Sequence, residues 1–182
     1  MDNRPIGIFD SGIGGISILN ELHKELNNEE FIYLADNKNC PYGNKSKKII
    51  TKLSIKNCKE LIKLDCKAIV VACNTSTTNS IQSLRKTFNC PIVGIEPGIK
   101  PAILETKTKK IGVLATEKTL SSDIFLKTQY TNNKEKIKIF EQPGFGLVES
   151  LEKGVQVKSI IFKKKLYEYL FHMIEKILII LF

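Results

Sequence analysis

The sequence predicts an α/β fold of two similar lobes, each with a mainly parallel sheet flanked by helices, with a site between them and the second lobe incomplete. Three observations predict it. Short apolar, β-branched runs alternate with segments of helical spacing through the first half. Polar residues (Asp10, Asp36 and Cys73) close three of those runs. After Glu96-Pro97-Gly98 and Pro101, which read as a hinge, the same rhythm begins again. The lobes are therefore residues 1–97 and 98–182.

Ile6 to Phe9 is a short strand ending at Asp10, and Ser11 to Gly15 is a glycine-rich turn. Ile16, Leu19, Leu22 and Leu26 then recur at helical spacing. Phe31 to Leu34 is a second strand, closed by Ala35-Asp36 and followed by a loop with Cys40-Pro41-Tyr42-Gly43. Ile49 to Leu64 is helical. Ala68 to Ala72 is a continuous β-branched run, the pattern of a strand buried on both faces. Ile81 to Phe88 reads as a helix and Pro91 to Ile95 as a strand. In the second lobe, Ile111 to Ala115 and Lys136 to Phe140 read as strands, with Thr119 or Ser121 capping the helix between them. Gly144-Phe145-Gly146 leads into a helix from Leu147 to Glu152, and Ser159 to Lys176 is a long helix. Ile177 to Leu181 reads as a buried strand with nothing after it.

Composition narrows the function classes. Hydrophobic residues make up 42% and charged residues 26%, the balance of a chain that folds around a core. The net charge of +9 is carried by scattered lysines, without the Arg-rich or aromatic–basic patch of a nucleic-acid groove. The Lys163-Lys164-Lys165 run reads as a solvated helix face. Five cysteines, an odd count without a CxxC pair, suggest neither a metal site nor a disulfide framework and fit a reducing cytoplasm. The first residues lack the layout of a signal peptide, and no apolar run is long enough to span a membrane.

Two motifs carry chemistry. Asp10-Ser11-Gly12-Ile13-Gly14-Gly15 lies between a strand and a helix, where backbone N–H groups favour an anion; equally, Asp10 or Ser11 serves there as a helix cap. It is neither a dinucleotide fingerprint nor a Walker loop. Cys73 follows the most apolar strand and precedes Asn74-Thr75-Ser76-Thr77-Thr78. That setting puts its sulfur at a helix start, which should lower the thiol pKa. Cys58, Cys66 and Cys90 read as packing residues, and Cys40 as a loop residue of either kind. His23 and His172 sit in helical patterns and read as filler.

Six segments in order extend these motifs: IGIFDSGIGGISIL (6–19), CPYGNKS (40–46), VVACNTST (70–77), PIVGIEPGIKPA (91–102), IGVLATEKT (111–119) and QPGFGLVESLEKG (142–154). Together they resemble the glutamate racemases of the aspartate/glutamate racemase superfamily, over about residues 6 to 158. The resemblance implies interconversion of L- and D-glutamate without metal or organic cofactor, supplying D-glutamate for peptidoglycan. Two cysteines then face each other across the α-carbon, because inversion needs an acid and a base on opposite sides. Carried over by motif, Cys73 is the first catalytic cysteine, acting on the D-glutamate face. Asp10 and Ser11 lie near the substrate amine, Tyr42 and Gly43 at its side-chain carboxylate, and Asn74 and Thr75 at its α-carboxylate. Thr116 and Thr119 match a loop approaching from the second lobe. The implied partner is a small molecule, glutamate, with neither nucleic acid nor membrane; a homodimer is compatible with it.

The departures set further expectations. The family continues into a strand ending Gly-Cys-Thr-His, which supplies the second cysteine, whereas this sequence has no Cys after Cys90 and ends on the matching run at Phe182. A frameshift or decayed gene, an exposed apolar face and poor solubility are the expectations that follow. Gly144-Phe145 stands where relatives often carry Cys-Pro. Besides a racemase, two other functions fit the residues: an inactive remnant that binds glutamate or a protein partner, and a phosphate- or nucleotide-binding module using Gly12 to Gly15. An aspartate racemase is a lesser option.

Overall fold

The computed structural model describes residues 2–132 and 136–178, with side chains to Glu175, and the chain divides into two compact units, 1–96 and 97–182. The first unit holds β1 (Ile6–Asp10), α1 (Ile16–Glu25), β2 (Phe31–Ala35), α2 (Lys47–Lys63), β3 (Ala68–Val71), α3 (Asn74–Thr87) and β4 (Ile92–Gly94). Its strands form one parallel sheet in the order β2-β1-β3-β4, with Ile8 level with both Tyr33 and Val70.

Both faces of this sheet are covered, which is why its central strands read as unbroken apolar runs. Ile8, Val70 and Ala72 pack against Ile18, Leu19 and Leu22 of α1. Alternate residues point the other way. On that side a Cβ at Gly7 would stand 3.0 Å from the Leu61 side chain of α2, so the missing side chain lets the helix lie close to the sheet. Ser46 caps α2, its side chain accepting from the Ile49 N–H.

The second unit holds α4 (Ile99–Glu105), β5 (Lys110–Ala115), α5 (Glu117–Leu120), α6 (Asp123–Asn132), β6 (Lys138–Pro143), α7 (Leu147–Glu152) and α8 (Ile160–Leu178). β5 and β6 pair in parallel, and Ile99, Ile103, Leu120, Phe125 and Ile137 form its core. On the outer side of α8, Ile160, Ile161, Tyr167 and Phe171 are exposed.

Four expectations are corrected. Pro101 belongs to the first turn of α4, where a helix tolerates the missing N–H. Helix α3 begins at Asn74 instead of Ile81, because its hydroxyls and amides bond back into the helix, as Ser80 does to the Ser76 carbonyl at 2.6 Å. Ser122, not Thr119 or Ser121, receives the N–H of Phe125 at the start of α6, at 3.3 Å. The strand expected over Ile177 to Leu181 is helical at Ile177 and Leu178, and its remainder lies outside the described residues. A short apolar run suits either structure, and here the long helix extends into it.

Candidate active site

β1 and β3 are neighbours whose onward connections run in opposite directions, to β2 on one side and β4 on the other. In an open parallel sheet such a switch point opens a crevice beyond the strand ends, the place where ligands bind. Ser11 follows β1, and Cys73 follows β3 by two residues as the N-cap of α3. The Cys73 S–H donates to Ser11 Oγ at 3.5 Å, and its Sγ accepts the Ser76 N–H at 3.4 Å. Residues 62 positions apart are thus joined at the rim.

The expectation of a lowered thiol pKa is corrected. Burial pushes Cys73 up to about 11, and the Asp10 carboxylate adds to the rise. The Ser11 hydroxyl and the N–H groups of Ser76 and Ser11 act the other way and do not prevail. A thiolate stripped of water loses more than a helix start returns. At rest near neutral pH the group is therefore a thiol holding its proton.

Asp10 is 5% exposed and its Oδ2 accepts the Gly12 N–H at 2.9 Å. Tyr33 donates its hydroxyl to the Gly12 carbonyl at 2.8 Å. Gly15 has no room for a side chain, since a Cβ would stand 2.8 Å from Asp10 Cβ and 2.9 Å from Ala72 Cβ. A carboxylate at the centre of this loop suits a cationic group and repels a phosphate, which weighs against a phosphate-binding role for Gly12 to Gly15. At the start of α3, Asn74 is exposed and Thr75 buried, and a helix start presents N–H groups and a positive dipole end to an anion.

Tyr42 and Gly43 begin a 3-10 turn, Tyr42 to Asn44, after the cis Cys40-Pro41 bond. The Tyr42 ring is buried, tilted against Phe9 at 6.1 Å between centroids. Its hydroxyl donates to Asp36 Oδ2 at 2.6 Å and accepts from Asn57 Nδ2 at 3.0 Å, and burial, then Asp36, raises its pKa. The phenol is thus used inside the protein.

Thr116 and Thr119 lie in the second unit, beyond β5. Thr116 caps α5, accepting the Thr119 N–H at 3.3 Å, and the two hydroxyls stand 3.0 Å apart. Thr119 is fully buried. His23 packs edge-on against Phe31, and His172 lies 3.8 Å from Glu175 on the exposed side of α8. Concave surfaces on α8 around Tyr167 and on α2 around Thr51 touch none of the strand-end residues.

Sequence reasoning missed the supports behind the rim. Asp36 was visible only as a polar strand end, and Ser54 and Asn57 not at all. Ser54 Oγ donates to the Ile50 carbonyl at 2.8 Å and shares a 2.6 Å hydrogen bond with Ser76 Oγ. The signal was present: Ser54 and Asn57 interrupt the α2 stripe of Ile50, Cys58 and Leu61 on its buried side.

An open parallel sheet with a buried thiol at its switch point and a buried carboxylate close by defines an α/β protein with a ligand crevice at its strand ends. The family model described as Asp/Glu/Hydantoin racemase matches residues 14–129, and the chain belongs to that family. Glutamate racemase from Ralstonia pickettii (strain 12J) is 43% identical over 150 residues, 82% of this chain and 53% of the relative. Glutamate racemase from Clostridium acetobutylicum is 44% identical over 171 residues, 92% of this chain and 64% of the relative. Among solved structures, Escherichia coli glutamate racemase in complex with L-glutamate and the activator UDP-MurNAc-Ala superposes with a TM-score of 0.80 at 31% identity, covering 92% of this chain and 64% of that one. The Francisella tularensis enzyme in complex with D-glutamate gives 0.77 at 32% identity, covering 94% and 64%. The α/β fold with parallel sheets flanked by helices is that of these structures. The chain spans 53% to 64% of the length of these relatives.

Proposed function

We propose that this chain carries the D-glutamate-facing half of a glutamate racemase site, with Cys73 as the group that moves the α-proton. The observation that carries the reading is the Cys73 thiol at the β1/β3 switch point, held by Ser11 and the Ser76 N–H. Kinship with proteins named glutamate racemase, one solved with D-glutamate and one with L-glutamate, supports the choice of substrate.

In this reading the α-carboxylate sits at the start of α3, at Asn74 and Thr75. The ammonium sits by Asp10 and Ser11, and the side-chain carboxylate at the Tyr42–Gly43 turn. Donors around the α-carboxylate stabilise the negative charge that develops as the α-proton leaves. The substrate also adjusts the thiol. Its ammonium, paired with Asp10, offsets the carboxylate that helps hold the thiol pKa up and favours the thiolate. That thiolate takes the α-proton from one face, and inversion needs a second acid on the other. D-glutamate made this way serves peptidoglycan synthesis. Five free thiols fit a reducing cytoplasm, and among the described residues no helix is long and apolar enough to cross a membrane.

Occupancy is tested by protection. D-glutamate should slow alkylation of Cys73 by a small reagent in proportion to its saturation, and Asp10→Ala should abolish the protection. Equal alkylation of Cys73 with and without saturating D-glutamate would remove the assignment.

A further inference from the structure

Helix α2 turns two polar side chains, Ser54 and Asn57, inward among Ile50, Cys58 and Leu61. A polar group in such a place is costly unless it is paired. Asn57 is paired twice, its Nδ2 donating to the Tyr42 hydroxyl at 3.0 Å and to Asp36 Oδ2 at 3.2 Å. Tyr42 donates to the same Oδ2 at 2.6 Å, and Asn39 Nδ2 holds Oδ1 at 2.8 Å. Together these bonds tie α2, the end of β2 and the Tyr42 turn to one carboxylate. The tyrosine hydroxyl has its donor on Asp36 and accepts from Asn57, so it acts as an anchor.

We propose that Asn57 is a positioning residue that sets which dicarboxylic amino acid the site accepts, by fixing the Tyr42–Gly43 N–H groups at one distance from Cys73. The inference rests on the racemase reading. The thiol fixes where the α-carbon must lie, and the turn fixes where a distal carboxylate is received. In the racemase reading glutamate spans that separation, whereas aspartate, shorter by one methylene, reaches only one end and does not draw on the turn. Loosening the anchor therefore costs glutamate and leaves aspartate as it was.

The test is α-proton exchange in D2O, followed for D-glutamate and D-aspartate by proton NMR. Asn57→Leu keeps the size of the side chain and removes both bonds. It should raise KM for D-glutamate about tenfold, the worth of one hydrogen bond to a charged group, with kcat within about twofold and D-aspartate exchange unchanged. Tyr42→Phe, which cuts the anchor from the other side, should give the same signature should Asn57→Leu fail to fold. Exchanging the two groups, Asp36→Asn with Asn57→Asp, leaves an acceptor and a donor for Tyr42 and should restore most of the discrimination. Parallel losses for both substrates, a fall in kcat alone, or discrimination that survives all three changes would overturn the proposal while leaving Cys73 in its role. Absence of any D-glutamate exchange by the folded, unaltered chain would remove the racemase reading and this inference with it.

Discussion

Replacing Asp10 with Asn should make Cys73 more reactive, and the size of the effect follows from what surrounds the sulfur. The thiol is pushed up to about 11 by burial first and by the Asp10 carboxylate second. Asn keeps an oxygen to accept the Gly12 N–H, now 2.9 Å from Oδ2, so the loop retains its bond while losing the charge. A nearby like charge is worth about one pH unit, or about 1.4 kcal/mol. Well below the pKa, that is about ten times more thiolate. A less basic thiolate is also a weaker nucleophile, by about threefold for one unit at a Brønsted slope near 0.5. The net expectation is about threefold faster reaction with a small neutral disulfide such as 2-hydroxyethyl disulfide at pH 8. The assay is the rate of mixed-disulfide formation on the Cys73 peptide by mass spectrometry, between pH 7 and 9.5. A rate equal to or below that of the unaltered chain would refute the placement of Asp10 as the charge that opposes the thiolate.

Two further outcomes follow from burial and packing. Cys73 and Cys58 have pKa values raised from 9.0 to about 11 and about 12, so the folded chain holds their protons where the unfolded chain releases them. Stability from these thiols is fully present below pH 9 and is lost as pH rises from there through the folded values, by about 1.4 kcal/mol per thiol at pH 10. Denaturant melts at pH 8 and pH 10 should show the drop, and Cys73→Ser should reduce it; a flat profile would contradict the buried thiols. Gly94→Ala should cost about 1–3 kcal/mol by overpacking, because its Cβ would stand 2.7 Å from Thr77 Cγ2 and 3.0 Å from Ile81 Cδ1. Thr77 cannot readily turn away while its hydroxyl bonds the Val71 carbonyl at 3.1 Å, and unchanged urea stability would show that α3 has room to move.

What could be read from the sequence was what repeats or is local. β-branched runs ending at Asp10 and Cys73 placed both residues on one rim, because parallel strands share the direction of their ends. The polar run Asn74 to Ser80 hid the first turns of α3, since Ser, Thr and Asn are weak helix formers whose side chains compete for backbone groups. In the fold Thr78, Asn79 and Ser80 are buried and donate to the carbonyls of Asn74, Thr75 and Ser76 one turn earlier. The Asp36–Tyr42–Asn57 bonds join three elements distant in sequence, and no periodicity announces them. The direction of the Cys73 pKa shift was also beyond local reading. It depends on how completely α3 and the Asp10 loop exclude water, a property of packing and not of spacing.

The central claim is that Cys73 carries the α-proton of D-glutamate. Its most direct test is the loss of the D-glutamate α-proton NMR signal in D2O, measured for the folded chain and for Cys73→Ser. Loss of the signal with the unaltered chain, and none with Cys73→Ser, is the result the account predicts. Retention of the α-proton by the folded chain, or loss that continues at the same rate in Cys73→Ser, would contradict it.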